Sequence, residues 1–322
     1  MRIAVGTELN DEAIARLRSS APEVTFLPLA TTAAMDGDPL DAVRQSDAYL
    51  GRIAPEVFRQ AGHRLRWIHA LGAGIETMSA IPELVASEVT VTNTRGAHAP
   101  FIAEHTFALL LALHRHIPQF AQDQRDHVWK RPGFADSMRE LYGRTMVILG
   151  MGNIGTAIAR RAVAFEMNVI GVDRDPRGGD RGDLTVWSVA LLDDALASAD
   201  VLVVAAPYTA ETAQLVDARR IGLLPERAVV IVVSRGGIVD EEALADRLQN
   251  GTLAGAGLDV FATEPIPADS PLWDTPRLIV TPHCSGGSDQ TRDRVLEITI
   301  ENIRRFVANE PLLNICDKRA GF

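Results

Sequence analysis

The sequence is short of cysteine, aromatic residues, surplus positive charge and long apolar runs. Two cysteines in 322 residues, Cys284 and Cys316, make neither a disulfide framework nor a metal knuckle. No bound metal is expected, and a reducing compartment is the simpler setting. Aromatic residues are 5% of the chain against 47% hydrophobic residues overall, a balance that fits an ordinary α/β protein. Lysine and arginine number 32 against 42 acidic residues, a net charge of −10. That balance excludes a non-specific grip on nucleic acid or on an anionic membrane surface. No apolar run reaches the roughly 20 residues that a membrane-spanning helix needs. The start, Met1-Arg2-Ile3-Ala4-Val5, reads as a strand and lacks the pattern of a signal peptide. A cytoplasmic protein is expected.

What the chain does have is a glycine turn near its middle. Gly150, Gly152 and Gly155 follow the apolar run 145–149 and precede small and apolar residues at helical spacing up to Phe165. Glycines on a strand-to-helix turn are the context that a dinucleotide fingerprint requires. Gly150 permits the tight turn, Gly152 lets a pyrophosphate approach bare backbone, and Gly155 lets helix and strand pack closely. The helix start offers free N–H groups and a positive dipole end to a diphosphate. A second apolar run, 168–172, ends in Asp173. That acid lies about 20 residues past the glycines, where a carboxylate can accept hydrogen bonds from ribose hydroxyls.

Apolar runs at 2–5, 24–27, 48–50, 67–70 and 89–93 alternate with helical patterns in the first hundred residues. Six more strands are expected at 145–149, 168–172, 201–205, 229–233, 255–259 and 278–281. Strands alternating with helices imply doubly wound parallel sheets. The longest early helical pattern spans 101–117, bounded by Pro100 and Pro118, and 119–142 reads as a polar excursion. The last helix, 290–308, and the tail have no fingerprint of their own and should return to the first unit. The dinucleotide domain, 99–288, is then an insertion into a flavodoxin-like substrate domain of 1–98 and 289–322, with a hinge and a cleft between them.

Ligands of such sheets bind at the carboxyl ends of the strands. That rule groups Asp173, Pro207, Arg235, Asp259 and His283. A guanidinium at Arg235 can hold a carboxylate with two parallel hydrogen bonds. A glutamate such as Glu264 beside His283 favours the imidazolium, which can protonate a carbonyl oxygen as hydride arrives at carbon. In the first unit, Gly72, Ala73 and Gly74 follow a strand and could form an amide nest for a substrate carboxylate. Arg52 also follows a strand end; taken alone, it and the glycine turn have bland readings as surface charge and plain loop.

The ordered set of Gly150–Gly155, Ser234-Arg235-Gly236-Gly237-Ile238-Val239-Asp240, Gly257-Leu258-Asp259-Val260-Phe261, Glu264-Pro265, Ser270-Pro271-Leu272-Trp273 and Thr281-Pro282-His283 resembles the NAD(P)-dependent D-isomer-specific 2-hydroxyacid dehydrogenases. Gly72-Ala73-Gly74-Ile75-Glu76 and Asn93-Thr94-Arg95-Gly96 match as well. The resemblance covers nearly the whole chain. It implies hydride transfer between NAD(H) and a small 2-oxo or D-2-hydroxy acid, glyoxylate or hydroxypyruvate being the first choices. It implies His283 as general acid/base, Glu264 as its partner and Arg235 as substrate binder, with the substrate carboxylate on Gly72, Ala73 and Gly74 and Arg52 beside the substrate. Cofactor contacts are implied for Gly150, Gly152, Asn153, Ile154, Gly155, Asp173, Pro207, Thr212, Val233, Ser234, Arg235, Asp259, His283 and Gly286. The Asp259 carboxylate is expected to meet the nicotinamide carboxamide. Asp173 favours NAD because it repels a 2′-phosphate, while Arg174 beside it leaves NADP open. A homodimer built on residues 100–142 is implied too.

The chain departs from the family pattern twice. Val232 stands where many relatives have Asn, and Cys284-Ser285-Gly286 stands where many have Ile-Ala-Gly. Cys284 is expected to be buried and inert. Three alternatives remain. An NAD-sensing corepressor shares the fold. Formate dehydrogenase usually has Gln where this chain has Glu264. Phosphoglycerate dehydrogenase would use Arg52, although Ile53-Ala54 follows it instead of hydroxyl side chains and no regulatory domain is expected.

Overall fold

The computed structural model describes residues 1–29, 39–129, 138–176 and 184–321. Its chain divides into two compact units, Met1–His98 with Ser288–Phe322, and Ala99–Gly287.

The first unit holds β1 (Arg2–Val5), β2 (Thr25–Pro28), β3 (Ala48–Leu50), β4 (Trp67–His69) and β5 (Thr90–Thr92). They form one parallel sheet in the order β2-β1-β3-β4-β5, the flavodoxin-like order. Successive side chains of a strand point to opposite faces, and the core follows that rule. Ala4, Tyr49, Ile68 and Val91 pack on one face, and Ile3, Val5, Ala48, Leu50 and Trp67 on the other. The end of the chain closes this unit. Cys316 N–H donates to Val91 O at 2.9 Å, and Thr92 bridges Ile315 in antiparallel sense.

The second unit holds β6 (Thr145–Leu149), β7 (Asn168–Asp173), β8 (Thr185–Ser188), β9 (Val201–Val204), β10 (Val229–Val232), β11 (Gly255–Leu258) and β12 (Leu278–Val280). The order is β12-β11-β10-β9-β6-β7-β8. All neighbours are parallel, and the order reverses beside β6 as in a Rossmann sheet. Alternation again splits the core. Val147, Leu149, Leu202, Val204, Val230 and Val232 face one way; Met146, Ile148, Val201, Val203, Val229 and Ile231 face the other.

Two sequence expectations are corrected. The sheet has seven strands where six were expected. The additional β8 is the short edge segment Thr-Val-Trp-Ser, half-buried at Val186 and Trp187 and exposed at its ends, so it carries no continuous apolar run. The expected helix 101–117 is two helices, Ala99–His114 and Ile117–Arg125. Pro118 lies in the first turn of the second helix, where its missing N–H would have had no partner anyway. His116 breaks the path with a left-handed φ of 53°. Within the polar excursion 119–142, residues 130–137, with Pro132 and Gly133, lie outside the described residues. Among the described residues no helix is long and apolar enough to cross a membrane.

Candidate active site

The glycine turn follows β6 directly. Gly150 has a φ of +95°, and a Cβ there would lie 2.5 Å from the backbone nitrogen of Ala206. At Gly155 a Cβ would lie 2.0 Å from the Gly150 carbonyl oxygen. Those two glycines are required by packing. Gly152 is different: a Cβ there would meet nothing within 4 Å. It caps the helix Asn153–Ala164, whose first turn holds Asn153 and Ile154. The open face of Gly152 beside free helix-start amides fits a diphosphate. Asp173 ends β7. Its carboxylate accepts the Met151 N–H at 2.7 Å and the Asp175 N–H at 2.9 Å, which ties it to the glycine turn. Arg174 lies 3.6 Å from Glu211. After β9, the Thr212 hydroxyl donates to the Pro207 carbonyl at 2.6 Å and fixes that turn.

β10 runs into Val233, Ser234 and Arg235. Val232 is buried in the core between sheet and helices, so the departure from Asn is accommodated by apolar packing. Val233 is buried as well. The Ser234 hydroxyl is buried without a hydrogen-bond partner among the described residues, and such a group fits a ligand that supplies one. The Arg235 guanidinium donates to the Ser234 carbonyl at 2.7 Å. Gly236 presses on the neighbouring loop: a Cβ there would lie 1.9 Å from the Phe261 carbonyl carbon.

Glu264 and His283 meet. His283 Nδ1 is 2.7 Å from Glu264 Oε2, and both side chains keep solvent access, at 47% and 35%. An ionised carboxylate only accepts, so in this pair the hydrogen on Nδ1 points to Glu264 and Nε2 takes no part in the bond. The other oxygen, Glu264 Oε1, accepts the Phe261 N–H at 2.9 Å. His283 adopts φ 50°, a conformation imposed by the turn that follows β12.

Asp259 holds that turn. It has no exposed surface, and its oxygens accept from Thr281 Oγ1 at 2.6 Å and from the amides of Cys284 and Ser285 at 3.0 Å each. Burial alone would raise its pKa, but the Ser285, Thr281 and Cys284 donors outweigh it and hold the carboxyl below its usual range. Both oxygens thus accept hydrogen bonds from the turn that follows β12. Gly286 follows within the same turn.

Cys284 is exposed, which corrects the expectation of a buried thiol. Partial burial and the Asp259 charge push the pKa of its thiol up. The ligand atoms of His105, Asp259 and Cys284 lie within 4.8 Å of one another, and hydrogen bonds account for them. Thr281 spends its proton on Asp259, so it accepts from His105 Nε2 at 3.0 Å, and Cys284 Sγ lies 3.7 Å from Asp259 Oδ1.

Glu241 was not anticipated from the sequence. It opens the helix Glu241–Gln249, where an acid is unremarkable on helix-dipole grounds. Its Oε1 accepts the Ala262 N–H at 2.7 Å. Burial raises its pKa, opposed by the amides of Ala262 and Gly237 and reinforced by the nearby Glu264 charge.

In the first unit, Arg52 follows β3 and Gly72–Gly74 follow β4. Arg52 Nη2 lies 3.4 Å from where a Cβ on Gly72 would be. The loop carbonyls are engaged: Asn93 Nδ2 donates to Ala73 O at 2.5 Å, and Thr94 N–H donates to Gly72 O at 3.3 Å.

The family model described as D-isomer specific 2-hydroxyacid dehydrogenase, NAD binding domain, matches residues 107–285. The chain is 36% identical over 274 residues to the D-3-phosphoglycerate dehydrogenase of Mycobacterium bovis, 84% of this chain and 51% of that protein. It thus spans about half the length of that relative. It is 33% identical over 277 residues to the glyoxylate reductase of Korarchaeum cryptofilum, 84% of this chain and 82% of that protein. A solved D-isomer specific 2-hydroxyacid dehydrogenase from Xanthobacter autotrophicus Py2, in complex with NADPH and MES, is similar with a TM-score of 0.84 at 29% identity. The match covers 100% of this chain and 99% of that one.

Proposed function

This chain belongs to the D-isomer specific 2-hydroxyacid dehydrogenases, and on that premise we propose that it interconverts a small 2-oxo acid and its D-2-hydroxy acid with NAD(H), glyoxylate or hydroxypyruvate being the first candidates. The observation that carries the proposal is the Glu264–His283 pair at 2.7 Å, beside the Arg235 loop at the carboxyl ends of one parallel sheet. A bound nicotinamide supplies or accepts the hydride at C2 of the acid. His283 Nε2 gives its proton to the keto oxygen, and in the reverse direction takes it from the hydroxyl. Glu264 orients the imidazole through the hydrogen bond at Nδ1. Arg235 holds the carboxylate and polarises the oxygen. In this reading residues 99–288 are the dinucleotide domain, with contacts from Gly150, Gly152, Asn153, Ile154, Gly155, Asp173, Pro207, Thr212, Val233, Ser234, Arg235, Asp259, His283 and Gly286. Residues 1–98 and 289–322 are the substrate domain, in which the amides of Gly72, Ala73 and Gly74 receive the substrate carboxylate. Asp173 favours NAD over NADP, since a 2′-phosphate would meet its charge. A cytoplasmic homodimer completes the proposal.

Arg52 beside Gly72 favours one second reading, oxidation of a phosphorylated 2-hydroxy acid, as the name of the Mycobacterium bovis relative suggests. The test is NADH consumption with glyoxylate, hydroxypyruvate, its 3-phosphate, pyruvate and phenylpyruvate, each repeated with NADPH. Turnover should fall about 100- to 10,000-fold in His283→Ala. Preference for the phosphate ester, lost in Arg52→Ala, would select the second reading. Tight NADH binding with no turnover on any acid would sink both and revive a cofactor-sensing role.

A further inference from the structure

The loop that carries Arg235 and the loop that carries Glu264 come from different strands, β10 and β11, and chemistry at one carbon needs them in one fixed arrangement. Two features join them. Gly236 brings the Arg235 loop into direct contact with the Phe261–Ala262 peptide, so closely that no side chain fits between. Glu241, which opens the helix that follows the Arg235 loop, ties the two loops: it accepts the Ala262 N–H at 2.7 Å, and the Gly237 amide acts with that of Ala262 to oppose the rise in pKa that burial causes. The adjacent Phe261 N–H goes to Glu264 itself. Consecutive amides of one loop are therefore shared between Glu264, which meets His283, and Glu241, which reaches the arginine loop.

We propose that Glu241 is a positioning residue that locks the Arg235 loop to the Glu264 loop and so sets the geometry of the guanidinium relative to the Glu264–His283 pair. The inference rests on the dehydrogenase reading for its catalytic consequence, but the lock itself does not. The competing explanation is that Glu241 is only an acid in a helix's first turn, next to the N-cap Asp240. The two explanations separate by reach. Glu241→Asp keeps a negative charge at the helix start but shortens the side chain by one methylene. Glu241→Gln removes the charge but keeps an oxygen that accepts from Ala262.

Steady-state kinetics on the acid that the wild type turns over would be compared for Glu241→Asp, Glu241→Gln and Glu241→Ala. Hydrogen exchange at the Ala262 and Gly237 amides would be followed in parallel. The lock predicts a kcat loss of roughly 10- to 100-fold in the Asp and Ala variants, the scale expected of a small misplacement of catalytic groups. It predicts NADH affinity within about twofold of wild type, kcat in the Gln variant within a few-fold, and faster exchange at both amides in Asp and Ala only. An Asp variant with wild-type kcat and wild-type exchange would overturn the proposal, as would a Gln variant as impaired as Ala. If the wild type turns over no 2-oxo acid, the dehydrogenase reading has failed, and the exchange rates alone then decide whether the lock exists.

Discussion

His69 ends β4 with no exposed surface, and its hydrogen bonds define its state. Thr299 spends its proton on the Val295 carbonyl, so it accepts from His69 Nε2 at 3.1 Å. Thr92 accepts from Trp67 Nε1 and turns its own proton to His69 Nδ1 at 2.7 Å. The ring is a neutral imidazole with no room for a second proton, and burial lowers its pKa to about 3. His114 is lowered to about 4, by burial first and then by Arg139. The unfolded chain binds these protons near pH 6.5 and the folded chain does not. Stability is therefore complete above about pH 6.5 and falls as pH drops from there towards the folded values. The carboxyls with lowered pKa, such as Asp200, lose their contributions only below about pH 4, so the histidines govern the window above it. Urea unfolding between pH 7.5 and 4.5 should show falling midpoints, with a shallower slope in His69→Gln. A flat wild-type profile, or an unchanged slope in the variant, would contradict this. Neither residue's burial was legible in the sequence, where His69 sits in a run whose pairing partners lie far along the chain.

Among the elements, the strand-to-helix turn at residues 149–155 was the most legible, because three glycines at fixed spacing have few structural explanations. The structure separates their roles. Gly155 is held by packing against the Gly150 carbonyl, whereas Gly152 faces open space. Gly155→Ala should lower the melting temperature by several degrees, the effect of forcing a methyl into backbone. Gly152→Ala should leave it within about 1 °C but weaken NADH binding at least tenfold, since its methyl would occupy the path of the diphosphate. Thermal melts and cofactor titrations of both variants check this; equal effects from the two would refute the division. β8 escaped the sequence because a short edge strand packs few side chains and needs no apolar run. The break at His116 escaped because apolar periodicity continues across it, and only the backbone path tells Pro118 as a helix start from Pro118 as a helix stop.

At the scale of the molecule, the segment 100–142 leaves large apolar side chains exposed at Ile117, Val128, Trp129 and Tyr142, with Trp129 at 93% exposure. Large apolar groups left in water in one region are what an association surface requires. The proposed homodimer built on residues 100–142 therefore predicts a mass near twice 34.9 kDa by light scattering. Trp129→Glu should shift the protein towards monomer without changing its circular dichroism. A wild-type monomer at micromolar concentration would dispose of the dimer.

The sequence by itself determined the class of the two sheets, the position of the glycine turn and the residue types available for acid–base chemistry. These follow from local periodicity, glycine conformational freedom and the placement of charged residues after apolar runs. It could also name Glu264 and His283, though 19 positions separate them. Only the tertiary structure decided that their side chains meet, that Asp259 turns inward to hold the histidine turn, and that Glu241 holds the amide next to the one that Glu264 holds. Each of those depends on hydrogen-bond geometry within about 3 Å, and residue spacing along a chain does not specify distance at that scale once the path passes through a sheet.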